Sequence, residues 1–112
     1  MKLIDGPITR EELRQIAKAS FGNFVKAVID VSKDVMAIDA DLHADEETYL
    51  LSHGSKQSDL WGINLYPDLK GESFIEFDSM INVRPSTNNL SRGVENAKTR
   101  EKIKQVINEL IL

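Results

Sequence analysis

Between Phe74 and Pro85 the chain alternates. Glu76, Asp78, Asn82 and Arg84 fall on one parity; Ile75, Phe77, Ser79, Ile81 and Val83 fall on the other. A strand sends successive side chains to opposite faces, so this reads as a half-buried strand. One face could cover a core. The other would gather two carboxylates, an amide and a guanidinium. Crowded carboxylates raise one another's pKa, which is a route to general acid or base work. Beside Arg84 they could equally form an ion-pair network. An antiparallel sheet often leaves one face wet, and polar residues there need no role. Asp and Asn are nevertheless poor strand residues, so Asp78 and Asn82 are the anomalous members of the run.

The loop from Arg84 to Gly93 offers two guanidiniums, Arg84 and Arg92, with hydroxyls, amides and free backbone donors ahead of a helix. That chemistry suits capture of a phosphate or carboxylate. It lacks the glycine spacing of a phosphate-binding loop, and a plain strand-to-helix connection explains it as well. Asn64, Asp30 and Asp39 could join the same polar face.

The run from Asp39 to Glu47 holds five carboxylates and His43. Oxygen-rich clusters suit magnesium, calcium or manganese. As a calcium loop starting at Asp39 it fails, with Ala44 where a sharp turn needs Gly and Leu50 where a bidentate Glu belongs. His43 and Glu47 stand one helical turn apart, but no second His completes that pattern. Acids at a helix start also suit the helix dipole. No metal site is assigned and no cofactor is expected. Ser52, His53 and Ser55 are neighbours in sequence without a nucleophile-elbow pattern.

These residues must be positioned by the elements around them. Met1 to Ile4 could add an edge strand, broken by Gly6-Pro7. Thr9 and Glu12 have the spacing of a capping box, followed by Leu13, Ile16, Ala17 and Phe21 at helical spacing. Phe24 to Val31 and Val35 to Ala40 read as a hairpin, with Val25, Ala27, Ile29, Val31, Met36, Ile38 and Ala40 on one face and Lys26, Asp30 and Asp39 on the other. His43 to His53 is a helix candidate closed by Gly54. Leu60 to Tyr66 is a strand with Trp61, Ile63 and Leu65 on the core side and Gly62, Asn64 and Tyr66 on the other. It pairs with the Phe74 strand across a connection of about seven residues. Ile103, Val106, Ile107, Leu110 and Ile111 match an amphipathic helix starting near Asn96. The expected fold is α+β, an antiparallel sheet of four or five strands with helices packed on one face, in a single domain spanning 1–112.

Composition narrows the function classes. The chain has 112 residues, 14 basic and 18 acidic, for a net charge of -4. Mild acidity argues against non-specific nucleic-acid binding, which needs a basic footprint. Absence of cysteine removes thiol nucleophiles and thiolate zinc sites, and fits a cytoplasmic location. The N-terminus lacks the apolar region of a signal peptide, and no apolar run approaches the ~18 residues of a membrane span.

Three segments carry a resemblance: His43-Ala-Asp-Glu-Glu47; Leu60-Trp-Gly-Ile-Asn-Leu-Tyr-Pro67; and Phe74 to Pro85 with Ser91-Arg-Gly-Val94. Over nearly its whole length the chain resembles a small family of prokaryotic proteins grouped as a domain of unknown function. The resemblance implies a small stand-alone protein of bacteria or archaea and assigns no activity.

Three functions remain in play. The first is a binding module, in which Asn64, Asn82, Arg84 and Arg92 hold an anionic ligand or a partner's acidic segment. The second is a small hydrolase-like enzyme, metal-assisted or not, with His43, Glu76 and Asp78 as the acid–base or ligating groups. It requires His43, Glu76, Asp78 and Arg84 to converge in one pocket. The third is a homo-oligomer or protein partner, such as a toxin–antitoxin component, using the C-terminal apolar stripe and a sheet edge.

Overall fold

A computed structural model describes all 112 residues. Five strands form one antiparallel sheet: β1 (Lys2–Ile4), β2 (Val25–Asp30), β3 (Val35–Ile38), β4 (Leu60–Leu65) and β5 (Ile75–Glu76), in the order β1-β3-β2-β4-β5. Three helices accompany it: α1 (Arg10–Lys18), α2 (His43–Ser52) and α3 (Ala97–Leu110). The α+β class and the antiparallel sheet are as the sequence suggests. No helix is long and apolar enough to cross a membrane.

The expected hairpin forms, with Ala27 opposite Ile38 and Asp30 opposite Val35. Its turn is held from within. Asp30 is fully buried, and its Oδ1 accepts from the Ser32 and Lys33 amides at 2.8 and 2.9 Å. Its Oδ2 accepts from the Ser55 hydroxyl at 2.6 Å, tying the turn to the end of α2.

Two of the three helices start at a side-chain cap. Thr9 caps α1 by accepting from the Glu12 amide at 3.0 Å. Asn96 caps α3 by accepting from the Thr99 amide at 3.1 Å. After α2 the chain turns at Gly54 with φ +95°, a conformation that favours glycine.

The sheet's two faces are unlike. Val25, Ala27, Ile29, Met36, Ile38 and Ile63 meet α1 and α3 in a cluster of 18 buried apolar residues. The opposite face carries Val28, Ala37 and Leu60, which meet Leu50 of α2 in a cluster of four. The helices therefore divide: α1 and α3 take the expected apolar face, and α2 lies across the polar one. The even-numbered positions of β2 and β4 give α2 only Val28, Leu60 and the bare backbone of Gly62. These seat Leu50, with Glu46 and His43 buried along the same side of α2, and leave one end of the face uncovered.

The expected long strand from Phe74 to Pro85 does not form. Only Ile75 and Glu76 pair, with Leu65 and Asn64. A 3₁₀ turn at Met80–Asn82 follows, then another at Pro85–Thr87. The alternation is broken physically as well. Phe77 packs against the large cluster, whereas Ile81 packs against the small one. Asn82 stands in for the missing strand. Its Oδ1 accepts from the Gly62 amide at 2.8 Å, and its Nδ2 donates to the Gly62 carbonyl at 2.9 Å. One side-chain amide thus satisfies both backbone groups that a neighbouring strand would otherwise pair. The approach needs a glycine, because a Cβ at Gly62 would stand 2.5 Å from Ser79 Cβ.

Candidate functional site

The uncovered end of the polar face is a row of side chains across the sheet. Lys26 on β2 lies opposite Asn64 on β4, and Asn64 lies opposite Glu76 on β5. Asn64 Nδ2 donates to Glu76 Oε1 at 2.8 Å, and the Tyr66 hydroxyl donates to the same oxygen at 3.1 Å. Phe24 and Tyr66 stack at 5.4 Å beside this row, and Phe21 stacks on Phe24 at 4.7 Å.

The N-terminus of α2 rises over Lys26. His43 is 8% exposed, and its Nε2 donates to the Ile63 carbonyl at 2.8 Å. A carbonyl only accepts, so Nε2 carries the proton and the neutral ring presents a lone pair at Nδ1. No protein group bonds Nδ1. Burial is the largest influence on His43 and lowers its pKa, with Lys26 and Arg92 acting in the same sense and the Ile63 carbonyl and Asp78 opposing. At neutral pH the ring is uncharged.

Lys26, His43, Ser79 and Arg92 line one cleft of about 190 Å³, with Leu42, Met80 and Ile81 completing its wall. Three features favour negative charge there. Lys26 is half-buried and has no ion-pair partner. Arg92 pairs with Asp78 at 2.6 Å, but both side chains are about half exposed, and an exposed pair holds its members weakly. The N-cap position of α2 is Leu42, which makes no side-chain cap hydrogen bond. Helix N-termini present free N–H groups and a positive dipole end. In α2 the Asp45 amide turns back to the Leu42 carbonyl at 3.2 Å, and the His43 and Ala44 amides are left free beside two cations.

The remaining candidates lie elsewhere. Arg84 turns away from this cleft. It donates to the Gln57 carbonyl, and to that of Leu60 at 2.6 Å, and its guanidinium stacks 4.2 Å from the Trp61 ring. Arg84 thus clamps the turn before β4. Asn82 is fully buried and committed to Gly62 and the Arg92 carbonyl. Asn89 works alike, donating to the carbonyls of Asn82 and Gly93 at 2.7 and 2.8 Å, so the 84–93 loop is wired by side-chain amides. Glu76 and Asp78 sit at the row's outer end, occupied by Asn64, Tyr66 and Arg92. His43, Glu76, Asp78 and Arg84 therefore do not converge in one pocket. No three carboxylates or imidazoles stand close enough to hold a metal ion.

One group escaped the sequence reading. Glu46 is fully buried on the sheet side of α2. Its Oε2 accepts from the Ala40 amide at 3.1 Å, and Oε1 has no partner. Burial pushes its pKa up to about 9, so it is a neutral acid at pH 7. The signal was present in the spacing. His43, Glu46 and Leu50 lie at i, i+3 and i+7, one face of a helix. The acids on either side of Glu46 disguised it as part of a solvated helix start.

Comparison with known proteins bears on this arrangement. A family described as "Protein of unknown function (DUF5674)" matches residues 2–110. The chain belongs to that family. The DUF5674 match spans every element of the sheet and all three helices, so the cleft lies inside the shared region. No curated protein and no solved structure matches the chain.

Proposed function

We propose that this DUF5674 protein is a small binding module whose cleft between Lys26, Arg92 and the start of α2 captures an anionic group. The observation that carries this reading is Lys26: a half-buried lysine without a counter-ion, its Nζ 5.4 Å from the Phe21 ring, lining one cleft with a helix N-terminus that has no side-chain cap. A partly buried charge normally finds a partner, and an anion on this spot would supply one. The Ser79 hydroxyl lines the cleft and can add a neutral hydrogen bond. Asn64 lies outside that lining and gives its amide hydrogens to Glu76 and the Asp78 carbonyl. Asn82 and Arg84 support the walls and hold the loop, whereas Arg92 reaches the ligand.

The acid–base enzyme has less support, because its carboxylates are outside the cleft. A cytoplasmic setting suits the cysteine-free, acidic chain. Association into a homo-oligomer would use Leu112, which is exposed at the end of the α3 stripe.

Titration of the ¹⁵N-labelled protein with sodium sulfate, at constant ionic strength against chloride, tests the proposal. The His43 and Ala44 amides are expected to shift and saturate in the wild type and to stay fixed in Lys26→Met. Shifts spread over the surface, or equal in the two proteins, would overturn it.

A further inference from the structure

The cleft that holds the cations also has an apolar mouth. Leu42 is 56% exposed and Met80 is 64% exposed, and both line it with Ile81. Scattered surface leucines need no explanation, but two large exposed apolar side chains lining the same small cleft as two cations are a local concentration that one ligand could use. Each sits where a polar residue would cost nothing. Leu42 occupies the N-cap of α2, where Ser, Thr, Asp or Asn would accept from a free amide and stabilise the helix. Met80 opens a 3₁₀ turn whose shape is set by the Ser79 hydroxyl accepting from the Ile81 amide, so the methionine is not needed for the turn.

We infer that the ligand is a small amphiphilic anion: one sulfate-, phosphate- or carboxylate-type group carrying a short apolar chain or single ring. The inference rests on the anion-binding reading and adds the tail. The head sits between Lys26, Arg92 and the first α2 amides. The tail lies between Leu42 and Met80, where the unbranched thioether adapts to its shape. The cleft's 190 Å³ is below the roughly 300 Å³ at which drug-sized pockets begin, a size that suits a single head group with a short tail. A capping Ser or Asp at position 42 would compete with the head group for the same amides, so a leucine serves both halves of the ligand.

Binding of inorganic sulfate, butyl sulfate and butanol, measured by calorimetry and amide shifts, tests the inference in three proteins: wild type, Lys26→Met and the double variant Leu42→Ala/Met80→Ala, in which neither alanine can cap α2. The two rim residues are exposed, so their replacement leaves the fold intact. Butyl sulfate is expected to bind the wild type at least tenfold tighter than sulfate, the gain from about two buried methylenes. The double variant is expected to lose that advantage and keep its sulfate affinity, and Lys26→Met to lose both anions. Equal affinity for sulfate and butyl sulfate would overturn the inference and leave the anion site standing. So would an advantage that survives in the double variant, or butanol binding as tightly as butyl sulfate. Failure of both anions to bind the wild type would remove the anion site itself and the inference with it.

Discussion

The two faces of the sheet are built by different rules. The face under α1 and α3 is a continuous apolar cluster, and the side chains at its centre are fully buried. The face under α2 has a small apolar centre, surrounded by buried Asp30, His43, Glu46, Asn64, Ser79 and Asn82. The first face derives its stability from area removed from water, a non-directional force spread over many residues. The second is held by directed hydrogen bonds, each specific to one pair of groups. Removing a methylene from the first leaves a void. Removing an amide from the second orphans a partner, and it is the second face that keeps a cation, Lys26, without an ion-pair partner. Stability is concentrated on one side and polar chemistry on the other.

The largest expected effect tests the apolar side. Ile107 of α3 is fully buried in the large cluster. Ile107→Ala is expected to cost about 2–5 kcal/mol in urea unfolding, with sulfate binding to the remaining folded protein unchanged. Loss of binding in step with stability would show that the two faces are not independent. Asn82→Ala is expected to cost less, about 2 kcal/mol, by leaving the Gly62 amide and carbonyl without their partner. It should differ in kind, because the 3₁₀ turn bearing Met80 is released from β4. Amide exchange should quicken at Gly62 and over Met80–Asn82 while Ile103–Leu110 stays protected. Uniform acceleration through both regions would count against a local role for Asn82.

The same contrast explains what the sequence could reveal. Periodicity reports burial, so the apolar face was legible: Val25, Ala27, Ile29, Met36, Ile38, Trp61, Ile63, Leu65 and the α3 stripe all fall where their spacing puts them. Periodicity does not report which polar group replaces a backbone partner. Asp78 and Asn82 broke the strand rule within an alternating run, and the rule was right. The strand ends at Glu76, and Asn82 bonds β4 with its side chain. Arg84 and Arg92 look equivalent in the loop, yet only tertiary structure decides that one stacks on Trp61 and the other reaches the cleft. Lys26 was placed on the polar face by parity alone. Its unpaired state depends on the β2–β4 register and on α2 crossing above it, and neither is written in its neighbours.

Glu46 provides a sharper probe of the polar side. Its folded pKa is about 9, above the ordinary carboxylate value, so the folded state retains a proton that the unfolded chain has lost. The stability this gives is fully present below about pH 4.5 and is lost as pH rises toward 9. The slope is at most ~1.4 kcal/mol per pH unit in that window. Glu46→Gln, similar in shape to the neutral acid, is expected to flatten this part of the profile. The difference between wild-type and variant unfolding free energies at pH 6 and pH 8 measures it. Parallel profiles would place an ionised Glu46 in the folded protein and overturn its reading as a neutral acid beneath α2.

The smallest effect is expected at His43, and it separates two ways of holding an anion. Lys26, Arg92 and the α2 amides donate at every pH up to neutrality. The neutral imidazole offers the cleft a lone pair, which repels an anion. Protonation at Nδ1 converts it to a donor. Burial, Lys26 and Arg92 resist that proton; Asp78 and the Ile63 carbonyl favour it, and a bound anion would add to them. If the anion contacts the ring, His43 therefore has a higher pKa in the complex than in the free protein, and affinity must rise as pH falls through that interval. Each unit of pKa difference is worth tenfold at most. Sulfate remains a dianion across this range, so its dissociation constant, measured from pH 8 to pH 5.5, isolates the protein's proton. A several-fold tightening in the wild type, absent in His43→Gln, would make the imidazole a pH-dependent contact. A flat wild-type profile would assign the anion to Lys26, Arg92 and the backbone alone, and leave His43 as the polar pin that fixes α2 to β4.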